Sequence, residues 1–174
     1  MLPIRGIKRA KITEFTGYVR GGFIRSSEGM DAARLKIEET ILERNFPRRF
    51  AFLDREIPER FRLEIGLKTS SGNTYRLEIP LSVDYPNQVP PVYLTYPVPL
   101  RDFNGHSLAL LSPSHPMHLL KPRSDQAIQV CHYKAENWHP NVTLYKVVLK
   151  CYIWLEAFQQ HLQTGKPLIN YLGV

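Results

Sequence analysis

The chain of 174 residues has two cysteines, Cys131 and Cys151, in different surroundings. Cys131 ends a short apolar run, Ala127-Ile128-Gln129-Val130, of β-strand character, and polar residues follow at once. Trp138 and Pro140 come next, and the apolar period of a helix begins just after them. A thiol at the end of a strand, with a helix packed behind it, suits nucleophilic chemistry, which needs an exposed sulfur able to become thiolate. The alternative is a buried strand cysteine, because free cysteine is among the most buried residue types. Cys151 shares an apolar stripe with Leu144, Val147, Val148, Leu155, Phe158 and Leu162, so a core role is expected for it. His132 and Lys134 follow Cys131 closely, and a positive charge on either would favour thiolate. In an extended segment, however, His132 points to the side opposite Cys131.

The elements that must hold these residues can be read from the rest of the chain. From Met30 to Asn45, Met30, Ala33, Ile37, Ile41 and Leu42 fall on one helical face, with Ser26, Ser27 and Asp31 near the start and Pro47 at the stop. Arg34, Lys36, Glu38, Glu39, Glu43 and Arg44 populate the other face, which reads as solvated. Phe61–Leu67 and Tyr75–Leu81 each alternate apolar and polar residues, and Ser70-Ser71-Gly72-Asn73 between them is turn chemistry, so an antiparallel hairpin is expected. Prolines 86, 90 and 91 force an extended turn before a strand at Val92–Thr95. Pro97 to Gln126 is long, irregular and rich in proline. A second helix spans Thr143 to His161. The order helix, sheet, long loop, helix predicts an α+β domain with one antiparallel meander of about four strands. Residues 1–28 form a basic N-terminal extension, in which 16–18 and 20–24 are candidates for two short paired strands.

Composition narrows the function classes. Hydrophobic residues make up 43%, which indicates a globular chain. No apolar run reaches the ~18 residues of a membrane span, and the basic N-terminus has no secretory h-region, so a soluble cytoplasmic protein is expected. Two cysteines without a CxxC pair form neither a disulfide framework nor a zinc knuckle. His115, His118, His132 and His139 keep a metal site as a minor alternative. The net charge of +7 permits an acidic partner, nucleic acid included. The basic residues are dispersed and no nucleic-acid-reading motif is present, so that partner is disfavoured.

Tyr85-Pro86-x-x-x-Pro90-Pro91-Val92 after the hairpin resembles the YP-x-x-PP turn of ubiquitin-conjugating enzymes. Cys131, then Trp138-x-Pro140, then a helix, is similar to the active-site cysteine, WxP segment and following helix of that family. The resemblance covers roughly residues 30–162 and assigns 29–174 to a conjugating domain. It implies that Cys131 accepts a protein's C-terminal acyl group as a thioester and passes it to an amine. A ubiquitin-like or other protein would be the cargo, a separate ATP-dependent activating enzyme would load it, and no cofactor is implied. The family's HPN triplet precedes the cysteine by about ten residues. Here the nearest candidate is His115-Pro116-Met117, sixteen residues ahead of Cys131, with Met117 where Asn would stand. A true His139-Pro140-Asn141 follows the cysteine, but its proline belongs to the WxP segment. The pattern is more similar to divergent bacterial members, including those of cyclic-oligonucleotide antiphage defence.

The missing Asn leaves the oxyanion role to His115, His118, His132 or Asn137. Spacing does not choose among them, and His115 is the first candidate. Trp138, Pro140, Tyr85 and Pro86 read as scaffold. A non-catalytic binding module of the same fold is the runner-up, disfavoured by the presence of Cys131 and favoured by the absent Asn. The C-terminal Leu172-Gly173-Val174 lacks the Gly-Gly ending of a modifier.

Overall fold

The computed structural model describes residues 32–173, so the paired strands expected around 16–24, and Met30 and Asp31 of the first helix, lie outside the described residues. Helix α1 spans Ala32–Asn45. Strands β1 (Phe50–Leu53), β2 (Arg62–Lys68), β3 (Thr74–Pro80) and β4 (Tyr93–Tyr96) then form an antiparallel meander. The connection after β4 carries a one-turn helix, α2 (Leu108–Leu111), and a two-residue strand, β5 (Leu119–Leu120). Strand β6 (Ile128–Val130) pairs with β4 on one side and β5 on the other, giving a six-stranded antiparallel sheet in the order β1-β2-β3-β4-β6-β5. The long helix α3 (Leu144–Thr164) and the one-turn α4 (Ile169–Leu172) close the chain.

The β2–β3 hairpin forms as the alternation predicts. Leu63, Ile65 and Leu67 face the core from β2, and Tyr75, Leu77 and Ile79 from β3, all nearly fully buried. Gly72 takes the left-handed φ of 92° that its turn requires. Helix α3 is capped by the Thr143 hydroxyl, which accepts from the Lys146 N–H, and by Gly165 at φ 72°. Its stripe of Leu144, Val147, Val148, Cys151, Leu155 and Phe158 is buried against the sheet. The sheet has six strands where about four are expected. The surplus lies in β1, an edge strand, and β5, only two residues long.

Helix α1 departs from its predicted facing. Ile37, placed on the core face by periodicity, is 52% exposed, whereas Glu38, placed on the solvated face, is fully buried. A buried carboxylate is tolerable only when its oxygens are all occupied, and three segments supply the donors. Glu38 Oε1 accepts from the Tyr85 hydroxyl at 2.6 Å and from Arg34 Nε at 2.7 Å. Its Oε2 accepts from the Leu144 N–H at 2.8 Å, one of the unsatisfied donors at the start of α3, where a negative charge also meets the positive end of the helix. Arg34 extends the network to the carbonyls of Pro140, at 2.6 Å, and Val142, at 2.7 Å. Trp138 Nε1 donates to the Pro86 carbonyl at 2.7 Å. The Tyr-Pro turn and the Trp-x-Pro segment are thereby joined to α1 and to the start of α3. Burial, with the Glu38 carboxylate behind it, pushes the Tyr85 hydroxyl well up, so it remains a donor.

Replacing Glu38 with Ala is expected to cost about 3–5 kcal/mol, because it strands Arg34 beside a partly buried cavity. Tyr85→Phe, which removes one donor to Glu38 and one acceptor of Arg34 while the carboxylate keeps its other donors, should cost about 1–2 kcal/mol. Urea titration of both variants measures this. A Glu38→Ala loss no larger than that of Tyr85→Phe would contradict the central place given to the carboxylate.

Candidate functional site

Strand β6 carries Cys131 past its last ladder residue. The alternation continues through Ile128 buried, Gln129 half-buried and Val130 buried, so Cys131 falls on the face of Gln129, away from α3. Cys131 is half-buried, whereas Cys151 is 1% exposed. Burial pushes the Cys151 thiol far up, so it stays protonated and inert. The backbone beside Cys131 is fixed by the main chain. Its N–H donates to the His118 carbonyl at 2.9 Å, one step beyond the Leu119–Val130 pair of the β5–β6 ladder.

His118 closes a tight loop, Ser114 to Leu119, whose ends exchange two backbone hydrogen bonds of 3.0 and 2.9 Å. The His118 N–H donates to the His115 carbonyl at 3.0 Å, and His118 itself sits at φ 51°, a left-handed conformation that histidine enters more readily than most residues. Two further contacts hold the loop from behind. Trp154 Nε1 of α3 donates to the Met117 carbonyl at 2.9 Å, and the Ile169 N–H donates to that of Pro116 at 3.0 Å. The main chain that grips Cys131 is thus braced by α3 and by the segment after it.

An open cleft of about 380 Å³ lies at the thiol, bounded by Val89, Pro90, Pro91 and Leu120 on the apolar side and by His132, Tyr133 and Lys134 beyond the cysteine. Of the residues predicted to assist the sulfur, His132 lines this cleft with Cys131. His115 is exposed and its ring stacks on that of His118 with centroids 5.9 Å apart. Asn137 is exposed at the end of a 3-10 turn, Ala135–Asn137, and neither it nor His115 is among the residues bounding the cleft. His118, coupled to Cys131 through its carbonyl, gave no spacing signal that could have ranked it first.

His132 and His118 are held neutral. Burial, opposed by the Val130 carbonyl near Nδ1 and aided by the charge of Lys150, pushes His132 down to about 4. Its Nε2 is buried with no partner among the described residues. His118 is likewise lowered, first by burial and then by His115, and its Nε2 is also buried without a partner. His132 therefore brings no positive charge to the thiol near neutral pH, contrary to one expectation from the sequence. Lys134 is the cation of the cleft, 72% exposed with Glu136 at 3.9 Å. Lys150 is engaged instead with the Tyr133 ring, its Nζ 3.6 Å from the centroid, and Tyr133 meets Trp138 edge-on. Among the described residues no group of three or more His, Cys, Asp or Glu side chains could hold a metal ion. No described helix is long and apolar enough to cross a membrane.

Two measurements check this site. A maleimide is expected to label Cys131 in the folded protein and to reach Cys151 only on unfolding, and equal rates at both would contradict the burial of Cys151. The second concerns acid. The unfolded imidazole of His132 titrates near its ordinary 6.5 and the folded one near 4. Between those values the unfolded chain binds more protons, so the contribution is intact above pH 6.5 and lost as pH falls towards 4. The loss amounts to about 3 kcal/mol. In His132→Leu the pH 6.5-to-4 limb of the stability curve should flatten by that order, and an unchanged limb would show that the ring is not held neutral.

A scan against protein-family models and searches of curated proteins and of solved structures gave no match.

Proposed function

We propose that this chain is a cysteine acyl carrier of the ubiquitin-conjugating kind. The observation that carries the reading is the pairing of one half-buried cysteine, at the wall of an open, largely apolar cleft, with a second cysteine buried in the core. The network that joins the Tyr85-Pro86 turn, the Trp138-x-Pro140 segment and both long helices supports it, because those residues carry the family resemblance.

In this reading Cys131 thiolate attacks the activated C-terminal carbonyl of a ubiquitin-like or other cargo protein, delivered by a separate ATP-dependent activating enzyme. The activating enzyme's leaving group departs and a Cys131 thioester remains. An amine then attacks the thioester carbonyl, the carbon–sulfur bond breaks, and the released thiolate balances the proton the amine gives up. The apolar wall of Pro90, Pro91 and Leu120 shields the thioester from water, and Lys134 offsets the charge that develops on its oxygen. His132, poorly basic with its ring neutral, contributes orientation rather than proton removal. The same chemistry fits a conjugation step in bacterial antiphage defence.

The missing upstream Asn favours a second reading, a module that holds a ubiquitin-like partner without transferring it. One experiment separates the two. The protein is incubated with ATP, candidate activating enzymes and candidate cargo, then run on non-reducing gels. A thiol-sensitive adduct lost in Cys131→Ala and kept in Cys151→Ala is the expected outcome. Cargo binding without any adduct would select the binding module, and an adduct that needs Cys151 would overturn both.

A further inference from the structure

Every carbonyl from His115 to Leu119 accepts a hydrogen bond. The loop's own N–H groups, of His118 and Ser114, serve the first and the last. The three between are taken by other segments: Pro116 by the Ile169 N–H at 3.0 Å, Met117 by Trp154 Nε1 at 2.9 Å, and His118 by the Cys131 N–H at 2.9 Å. Two anchors therefore come from outside the site, and the next carbonyl along grips the backbone of the thiol residue. What they hold is a conformation this sequence does not favour. The commonest β-turn takes proline in its second place, where Pro116 stands, and glycine in its fourth, where His118 stands at φ 51°. A Cβ makes the left-handed backbone costly, and a residue stays there only where its surroundings over-determine it. Trp154 is equipped to do so. It is 2% exposed and its indole lies flat on Phe158, with centroids 5.4 Å apart and planes 10° apart, so packing aims its N–H.

We propose that Trp154 is a positioning residue for Cys131: with Ile169 it keeps His118 in its left-handed conformation, and the His118 carbonyl in turn fixes the Cys131 backbone at the end of β6. Without the indole N–H, His118 relaxes towards negative φ, its carbonyl turns from the Cys131 N–H, and the thiol loses its fixed place beside the cleft. This deepens the acyl-carrier reading and rests on it for its consequence, which is that α3 and the segment after it govern the thiol from outside the cleft.

The test begins with Trp154→Phe in the full chain, which keeps an aromatic ring on Phe158 and deletes the donor. Native-state hydrogen exchange followed by NMR should quicken about fivefold at the Cys131 amide and stay unchanged at Ile65 and Leu77 of the hairpin. Glycine is at ease in the left-handed region, so His118→Gly alone should slow exchange at Cys131, and in that background Trp154→Phe should quicken it by about twofold or less. Equal quickening at all three amides would make Trp154 an ordinary core support and overturn the proposal. So would no change at Cys131, or effects of the two substitutions that simply multiply. Faster exchange in His118→Gly alone would overturn it even if Trp154→Phe does not fold, because the left-handed backbone would then be held against no cost. Charging of Cys131 by exchange with a glycine-ended peptide thioester, scored as a hydroxylamine-labile mass, should slow about fivefold in Trp154→Phe. Quickened exchange with unchanged charging would show that the thiol does not depend on the anchor, and would overturn the proposal. No labile mass on the wild-type chain would remove the carrier reading, and the exchange measurements alone would then decide the placement of Cys131.

Discussion

A carboxylate with no exposed surface is the constraint around which this domain is assembled. Removing Glu38 from water costs several kcal/mol unless its oxygens are satisfied. The donors that satisfy them come from Arg34, Tyr85 and Leu144, on three segments far apart in the chain. Each donor fixes something the fold needs. Tyr85 sets the turn between the hairpin and β4, Leu144 sets the first turn of α3, and Arg34 gathers the carbonyls of Pro140 and Val142. The two motifs that stand out in the sequence, Tyr-Pro and Trp-x-Pro, are thus physically one assembly. Their separation in sequence hides a shared job, which is to hold both long helices against the sheet.

The candidate site depends on that assembly indirectly. Cys131 is placed by backbone hydrogen bonds, and those backbones are braced by α3 through Trp154 and Met117. The environment beside the thiol is dry enough to keep His118 and His132 uncharged, yet the cleft itself is open. Charge near the sulfur therefore comes from lysine, and apolar surface comes from prolines and Leu120. This combination favours a reactive group that works by position and shielding more than by a strong neighbouring base.

The parts of the structure legible in the sequence are those with a strong period. The β2–β3 hairpin alternates cleanly, α3 repeats every three to four residues, and both are observed where expected. The opposed fates of the two cysteines follow from the same periods. Helix α1 misleads because its apolar residues are few and its decisive burial is polar: Glu38 inside and Ile37 outside invert the pattern. No window statistic reports that a carboxylate has partners near residues 85 and 144. Strand β5 escapes because two residues, Leu119 and Leu120, carry no alternation, and β1 because an edge strand needs only one buried side chain, Phe52. At the site, the contrast in burial between Cys131 and Cys151 is readable, whereas His132, expected on the side opposite Cys131, bounds the same cleft, and the neutrality of His118 and His132 depends on burial that only the folded chain reveals.

The long connection between β4 and β6 largely closes upon itself. Leu108 donates to the Leu100 carbonyl, Asp102 to that of His106, and Ser114 and Leu119 bond reciprocally, so each excursion returns to its own starting point. Strand β6, meanwhile, is gripped from both sides by β4 and β5. An excursion that starts and ends in one place can lengthen, shorten or change its sequence without pulling on the strand beyond it. Evolutionary drift could therefore rework the surface beside the thiol, and with it the choice of partner, while the thiol itself stays where it is.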